Sequence, residues 1–257
     1  MNLSAVVITK NEEGNIKDCL DSLAFCDEVI VVDDYSNDDT VRIAKELGAQ
    51  VYRRLLNYDF AGKRNFGLSK AKGKWVLFID ADERVSEALT SEISNFPGLA
   101  KRSGAGKFPI SNGINGVYFR RVDYMWGKLL THGEVGSTKL LRMAKKESGV
   151  WKRRVHEYWD VDGETIKFKN PILHYPHPTL REFIKDISEF STLHAQANIQ
   201  EGKRATLVKI IIWPLGKFLY NFIYQLGFLD GLRGFIVATV MSFHSFLAWS
   251  KLWFSQN

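Results

Sequence analysis

Sulfur is scarce in this chain. Its only cysteines are Cys19 and Cys26, too few for a disulfide framework, and no C-x-x-C pair offers a zinc or redox centre. A reducing cytoplasm is therefore the expected compartment. The N-terminal stretch supports it: the apolar run from Leu3 meets Lys10 and Glu12 before an h-region or cleavage site is complete. Glycine-rich phosphate loops are also missing. Neither G-x-G-x-x-G nor G-x-x-x-x-G-K-[ST] stands at the first turn, which argues against a dinucleotide site and a P-loop. No Pro/Gly/Ser-rich linker and no repeat of 20–50 residues is present, so a solenoid is excluded. Acidic residues nearly vanish at the C-terminal end, where Asp230 is the only one beyond Lys203.

What is present is globular. The 257 residues, 45% hydrophobic and 25% charged, suffice for one or two domains with a sizeable core. The net charge of +6 is concentrated: Lys203, Arg204, Lys209, Lys217, Arg233 and Lys251 against Asp230 leave the last segment at +5. That segment is rich in Ile, Leu, Phe, Trp and Tyr and carries no nucleic-acid motif, so an anionic membrane surface is the expected partner and nucleic acid is not.

The first hundred residues alternate strand and helix signals. Leu3–Thr9 is a short apolar run, followed by Ile16, Cys19, Leu20 and Leu23 at helical spacing. Val29–Val32 is a second strand. Ser36 to Asp39 offer cap chemistry to a helix that Gly48 closes. Strands at Val51–Tyr52 and Trp75–Ile79 alternate with helices at Ala61–Lys70 and Ser86–Phe96. The order predicts an α/β fold, a Rossmann-like, mainly parallel sheet with helices on both faces. After a polar loop at Lys101–Lys107 the pattern is less regular, with strands at Gly116–Arg121, Ser137–Met143 and Thr165–Leu173 and one long helix at Thr179–Glu201. These signals place a catalytic domain at residues 1–202 and a separate basic, aromatic helical segment at 203–257, broken by Pro214, Gly227, Gly231 and Gly234.

Ligands of open parallel sheets bind beyond the carboxyl ends of the strands. There the sequence reads Thr9-Lys10-Asn11-Glu12, Asp33-Asp34-Tyr35-Ser36 and Asp80-Ala81-Asp82-Glu83. Any one of these could cap a helix, but caps need not converge on one crevice. Carboxylates in place of glycines imply a divalent cation between protein and phosphate, and hard oxygen ligands suit Mg²⁺ or Mn²⁺.

These residues resemble the family-2 glycosyltransferases of GT-A fold, in particular the branch similar to lipopolysaccharide-core β-glycosyltransferases. The carriers are Val6 to Glu12, Val32 to Thr40, Ala61 to Asn65, Ile79 to Glu83, Val155-His156-Glu157, Ile172 to Tyr175 and Phe228 to Gly231. The resemblance implies that Thr9, Glu12, Asp33 and Asp34 line the nucleotide pocket, with Asp33 on the base, and that Lys63 and Arg64 reach the base or diphosphate. It implies further that Asp80 and Asp82 hold metal and sugar diphosphate, with Asp82 the more direct ligand, and that Glu157 is the base that deprotonates the acceptor, assisted by His156. His174 is a candidate third metal ligand, although a satisfied core histidine is the blander reading, and Arg142 is a candidate phosphate contact. Tyr35 departs from the family, where many members have glycine.

The resemblance implies an inverting, metal-dependent transfer of a hexose, with UDP-glucose favoured as donor and a lipid-linked saccharide such as lipopolysaccharide core as acceptor, at the inner face of the cytoplasmic membrane. Two other classes remain open: a nucleotidyltransferase on a similar sheet, against which the missing Gly/Arg-rich loop speaks, and a non-catalytic membrane-bound sensor of sugar nucleotides. A phosphatase with D-x-D would want Thr or Val where Arg84 stands. Gly234–Ser250 is only 17 residues long, at the lower limit for a membrane span. Amphipathic helices lying on the membrane are preferred over a bundle packed on the catalytic domain or a homo-oligomer partner.

Overall fold

The structure, a computed structural model, describes residues 1–55, 57, 59–99, 113–154 and 157–256, without the side chain of Ser137. The expected strands β1 (Leu3–Thr9), β2 (Glu28–Asp33), β3 (Gln50–Arg53) and β4 (Trp75–Asp80) lie side by side in the order β3-β2-β1-β4, all parallel. Their register sets Thr9 beside Asp33 and Ile8 beside Asp80, so the acidic strand ends share one edge.

Helices cover both faces. Val7, Val31, Leu77 and Ile79 point to one side, where α1 (Ile16–Asp21), α2 (Thr40–Glu46) and α4 (Glu87–Ser94) bring Ile16, Cys19, Ala44, Leu89 and Ile93. Val6, Ile30, Val32, Val76 and Phe78 point to the other, under Ala61 and Leu68 of α3 (Phe60–Lys70). A strand buried on both sides has no solvent face to alternate with, which is why these segments read as continuous apolar runs. Gly67 lets α3 approach closely, since a Cβ there would collide with Val6.

The sheet then turns antiparallel. β8 (Lys139–Lys145) pairs with β4, and β6 (Ile114–Met125) pairs with β8. β5 (Glu83–Val85) pairs antiparallel with β12 (Ile172–His174), whereas β11 (Glu164–Lys167) runs parallel to β6. The strand expected over Thr165–Leu173 is thus two strands, separated where Pro171 has no N–H to give a ladder. A separate ribbon of β9 (Gly149–Lys152) and β10 (Tyr158–Val161) packs Trp151 and Trp159 edge-to-face against Phe78, with ring centroids at 5.1 and 5.0 Å. The polar loop expected at 101–107 lies outside the described residues.

Compactness does not divide the chain at residue 202. One unit is Met1–Arg121 with Lys139–His174; the other is Val122–Thr138 with Tyr175–Asn257. The second unit holds the end of β6, β7 (Lys128–Leu130), α5 (Gly133–Ser137), α6 (Leu180–Gln200), α7 (Leu207–Leu219) and α8 (Leu232–Gln256). Its core joins Met125, Leu130, Phe183, Ile187, Val237 and Val240, so the long α6 shares a core with α8. The expected long helix is there, started by a reciprocal Thr179–Glu182 capping box. Pro214 and Gly234, expected as breaks, lie inside α7 and α8. At Pro214 the next turns still close through Lys217 and Gly216 carbonyls, and its own carbonyl accepts from Ser242 Oγ at 2.7 Å. Gly234 is needed because the Gly227 carbonyl occupies the place of a Cβ.

Leu77 lies at the centre of the sheet, fully buried. Leu77→Ala is expected to lower unfolding free energy by about 2–5 kcal/mol in urea titration, while Val150→Ala, exposed on β9, stays within about 0.5 kcal/mol. Equal effects would refute the assigned core.

Candidate active site

Asp80 ends β4 and is gripped from two sides. Arg64 on α3 donates through Nη2 to Asp80 Oδ1 at 2.9 Å, and Arg142 on β8 donates through Nη2 to Oδ2 at 2.7 Å. Arg64 also donates through Nε to Glu157 Oε1 at 2.9 Å, and Arg142 lies 3.3 Å from Glu83 Oε1. Arg121 Nη1 is 3.7 Å from that same oxygen. Both Arg64 and Arg142 are buried, and the Arg64 guanidinium lies 4.8 Å from the Trp151 ring centroid.

Charges withdrawn from water must be paired. Burial works against ionised Asp80, but Arg142 and then Arg64 outweigh it and hold the carboxyl well below the usual range. Burial dominates at Glu83 and raises its carboxyl in spite of Arg142. Among the described residues, Arg64 Nη1 and Arg142 Nε and Nη1 are buried with no hydrogen-bond partner, so these guanidinium groups retain donor capacity for an anion.

Asp82 points elsewhere. Its Oδ2 lies 3.1 Å from His174 Nε2, at the end of β12. Burial raises the Asp82 carboxyl, but the His174 charge and hydrogen bond outweigh burial and the net direction is down. The expected trio of Asp80, Asp82 and His174 is therefore split, because Asp80's oxygens are engaged by arginines. No group of three or more His, Cys, Asp or Glu able to hold a metal occurs among the described residues. A carboxylate oxygen beside an imidazole nitrogen is nevertheless a donor pair whose chemistry suits Mn²⁺ or Mg²⁺.

At the ends of β1 and β2 the residues are turned into local structure. Asp33 is 0% exposed; its carboxylate accepts Ser36 Oγ–H at 2.5 Å and Ser36 N–H at 3.2 Å. The side chain expected to hold the base therefore closes a turn. Asp34 donates its N–H to the Thr9 carbonyl at 3.0 Å, and its carboxylate lies 3.5 Å from Lys10 Nζ. Lys63 Nζ donates to the same carbonyl at 3.1 Å; burial lowers this amine to about 8, against the pull of Asp34 and Asp33. Glu12 accepts from Asn15 Nδ2 at 2.9 Å, and burial, reinforced by Asp82 and Asp38, pushes its carboxyl up to about 7.

Thus Arg64, Asp80, Arg142 and Glu157 form one connected group, Asp82 and His174 a second, and Thr9, Asp34 and Lys63 a third. His156 lies outside the described residues. Glu83 carried no role in the sequence reading, although it stands beside Asp82; its full burial is what reveals it as the counter-charge of Arg142.

Residues 4–96 match the sequence profile described as Glycosyl transferase family 2. The lipopolysaccharide core biosynthesis glycosyltransferase LpsC of Rhizobium meliloti (strain 1021) is 28% identical, covering 98% of this chain and 92% of that protein. The N-terminal part of the chain, residues 4–96, is thus similar to glycosyltransferase family 2. An uncharacterized glycosyltransferase of Rickettsia prowazekii (strain Madrid E) is 29% identical, covering 97% of this chain and 86% of its own. Among solved structures, S. aureus TarS 1–349 gives a TM-score of 0.45 at 16% identity, covering 98% of this chain and 89% of that one. Glucosyl-3-phosphoglycerate synthase from Mycobacterium tuberculosis, in complex with Mn²⁺, UDP and glucosyl-3-phosphoglycerate, gives 0.49 at 20% identity, covering 80% and 81%.

The raised Glu12 carboxyl links pH to stability. Its folded value of about 7 lies above the ordinary 4.5, so the folded state binds the extra proton between these values and loses stability as pH rises through them. Glu12→Gln is expected to stabilise the metal-free protein at pH 8 by about 1 kcal/mol, allowing for solvent screening of this half-buried group, and to change little at pH 4.5. Thermal melts at both pH values check it; an equal effect at both would refute the linkage.

Proposed function

We propose that this glycosyltransferase moves a hexose, with UDP-glucose the favoured donor, onto a lipid-linked saccharide of the lipopolysaccharide-core kind, inverting the anomeric centre. The supporting observation is the group at the end of β4, where Asp80, Arg64, Arg142 and Glu157 are hydrogen-bonded in series and Asp82 pairs with His174. The breadth of the match to LpsC supports the acceptor class. Inversion needs one displacement: the acceptor oxygen attacks the anomeric carbon, its proton goes to Glu157, and the bond to the diphosphate breaks. Arg64 and Arg142 offset the charge growing on the leaving diphosphate. Arg64 at the same time orients Glu157. Asp82 and His174 would hold the cation, which when bound supplies Lewis-acid stabilisation of the diphosphate.

Transfer assays with a panel of nucleotide sugars, with and without Mn²⁺, test the reading. Glu157→Gln keeps an oxygen toward Arg64 but cannot take a proton, so kcat is expected to fall at least about a hundredfold with donor Kd nearly unchanged. Asp82→Ala should abolish the response to Mn²⁺. Near-normal kcat in the first variant removes the base assignment, and an unchanged Mn²⁺ response in the second removes the metal assignment.

The second unit fits work at the cytoplasmic membrane face. Leu207, Val208, Ile211, Ile212, Trp213 and Leu215 of α7 are all exposed, Trp213 at 60%. Both Leu207–Tyr224 and Leu232–Gln256 are long and apolar enough to cross a membrane. Surface docking is the proposed mode, because α8 buries Val237, Ala238, Ala248 and Leu252 within its own unit and Lys209 and Lys217 interrupt α7. Flotation with anionic vesicles at low salt should capture the wild type, while Ile211→Glu with Trp213→Glu should lose capture and keep the melting temperature. Lost dimer mass in the variant, with wild type that never floats, would instead assign this face to a homo-oligomer.

A further inference from the structure

Two non-glycine residues at the carboxyl edge of the sheet adopt left-handed backbone, Asn11 at φ 52° and Tyr35 at φ 54°. L-residues avoid this region because the Cβ crowds the following carbonyl, and asparagine is among the few that tolerate it through local hydrogen bonds. Asn11 behaves so: its N–H donates to Ser36 Oγ at 2.8 Å and its Oδ1 accepts the Asn37 N–H at 2.9 Å. Tyr35 makes no such local bond with its side chain among the described residues; the strain is held by its neighbours. Ser36 closes on Asp33, and Asp34 is tied to the Thr9 carbonyl. A strained residue fixed by its surroundings is a reason to look for function.

The ring is 48% exposed at the ends of β1, β2 and β3. The Arg53 guanidinium stands 5.7 Å from its centroid, and Arg53 Nε is 3.6 Å from Asp33 Oδ2. Around it the polar side chains are already engaged: Asp33 is sealed in its turn, Asp34 faces Lys10 and Lys63 serves the Thr9 carbonyl. What this corner offers a ligand is therefore a rigid aromatic plane beside a guanidinium, which recognises another flat, π-bearing group. Resting on the nucleotide-sugar reading above, we propose that Tyr35 is the platform on which the donor's nucleobase stacks, with Arg53 bordering the stack. Nucleobase binding in this chain then comes from stacking rather than from a carboxylate, and Tyr35 supplies affinity for a base-bearing donor over one that has no base.

Isothermal titration with UDP, GDP and inorganic pyrophosphate in the presence of Mn²⁺ tests this on the full chain. Tyr35→Ala and Tyr35→Gly should weaken the preferred nucleoside diphosphate by about tenfold or more, Tyr35→Phe should bind as wild type, and pyrophosphate, which has no base, should bind all four proteins alike. Glycine also relieves the left-handed strain, so Tyr35→Gly should melt higher than wild type while binding more weakly, a split that a merely structural ring would not give. Wild-type affinity for the nucleoside diphosphate in the Ala and Gly variants, or an equal loss for pyrophosphate, overturns the stacking role. Wild-type protein that binds neither nucleotide overturns the nucleotide-sugar reading itself, so the two failures are distinguishable.

Discussion

A half-buried carboxylate held between two buried guanidinium groups is the constraint on which this molecule's first unit turns. Asp80 sits at the end of the central strand, and neither it nor Arg64 nor Arg142 could lose its partners without leaving a desolvated charge exposed to nothing. The chain must therefore bring α3, β4 and β8 to one point, with Glu157 attached through Arg64. Packing of Phe78, Trp151 and Trp159 behind Arg64 excludes water and strengthens each of these interactions. A site held this way has little freedom to reorganise.

The same electrostatics divide the two aspartates of Asp80-Ala81-Asp82. Asp80 is committed to arginines, and Asp82 leaves the strand in another direction to meet His174 from β12. Glu83 turns inward again and balances Arg142. Three nearby carboxylates thus take three environments: one held charged by two cations, one paired with an imidazole, and one pushed toward its protonated form by burial.

The second unit solves a different problem. Its core of Phe183, Ile187, Val237 and Val240 uses one side of α6 and α8, and α7 is left with an apolar outer face. A patch of this kind is costly in water and marks a surface that meets something apolar. Of the basic residues that give the segment its charge, Lys217 is matched by Glu134 at 2.9 Å and Lys203 by Glu201 at 2.7 Å, so the positive excess resides with Arg204, Lys209, Arg233 and Lys251 more than with the whole set.

Where information is local, the sequence was enough. Continuous apolar runs specified β1, β2 and β4, because burial on both faces imposes the pattern on adjacent residues. The Thr179–Glu182 box started α6, and Gly48, at φ 81°, closed α2 as expected. Motif spacing at the strand ends likewise pointed to the family whose profile matches residues 4–96, and to the acidic edge. Non-local decisions were invisible. No spacing tells that Arg64 and Arg142 meet on Asp80, that Asp33 folds onto Ser36 instead of facing outward, or that α6 belongs with α8 rather than with the residues before it. Each depends on which distant groups desolvate one another, and pairing of buried charge and closure of a core are properties of proximity in space that the chain acquires only when it has folded.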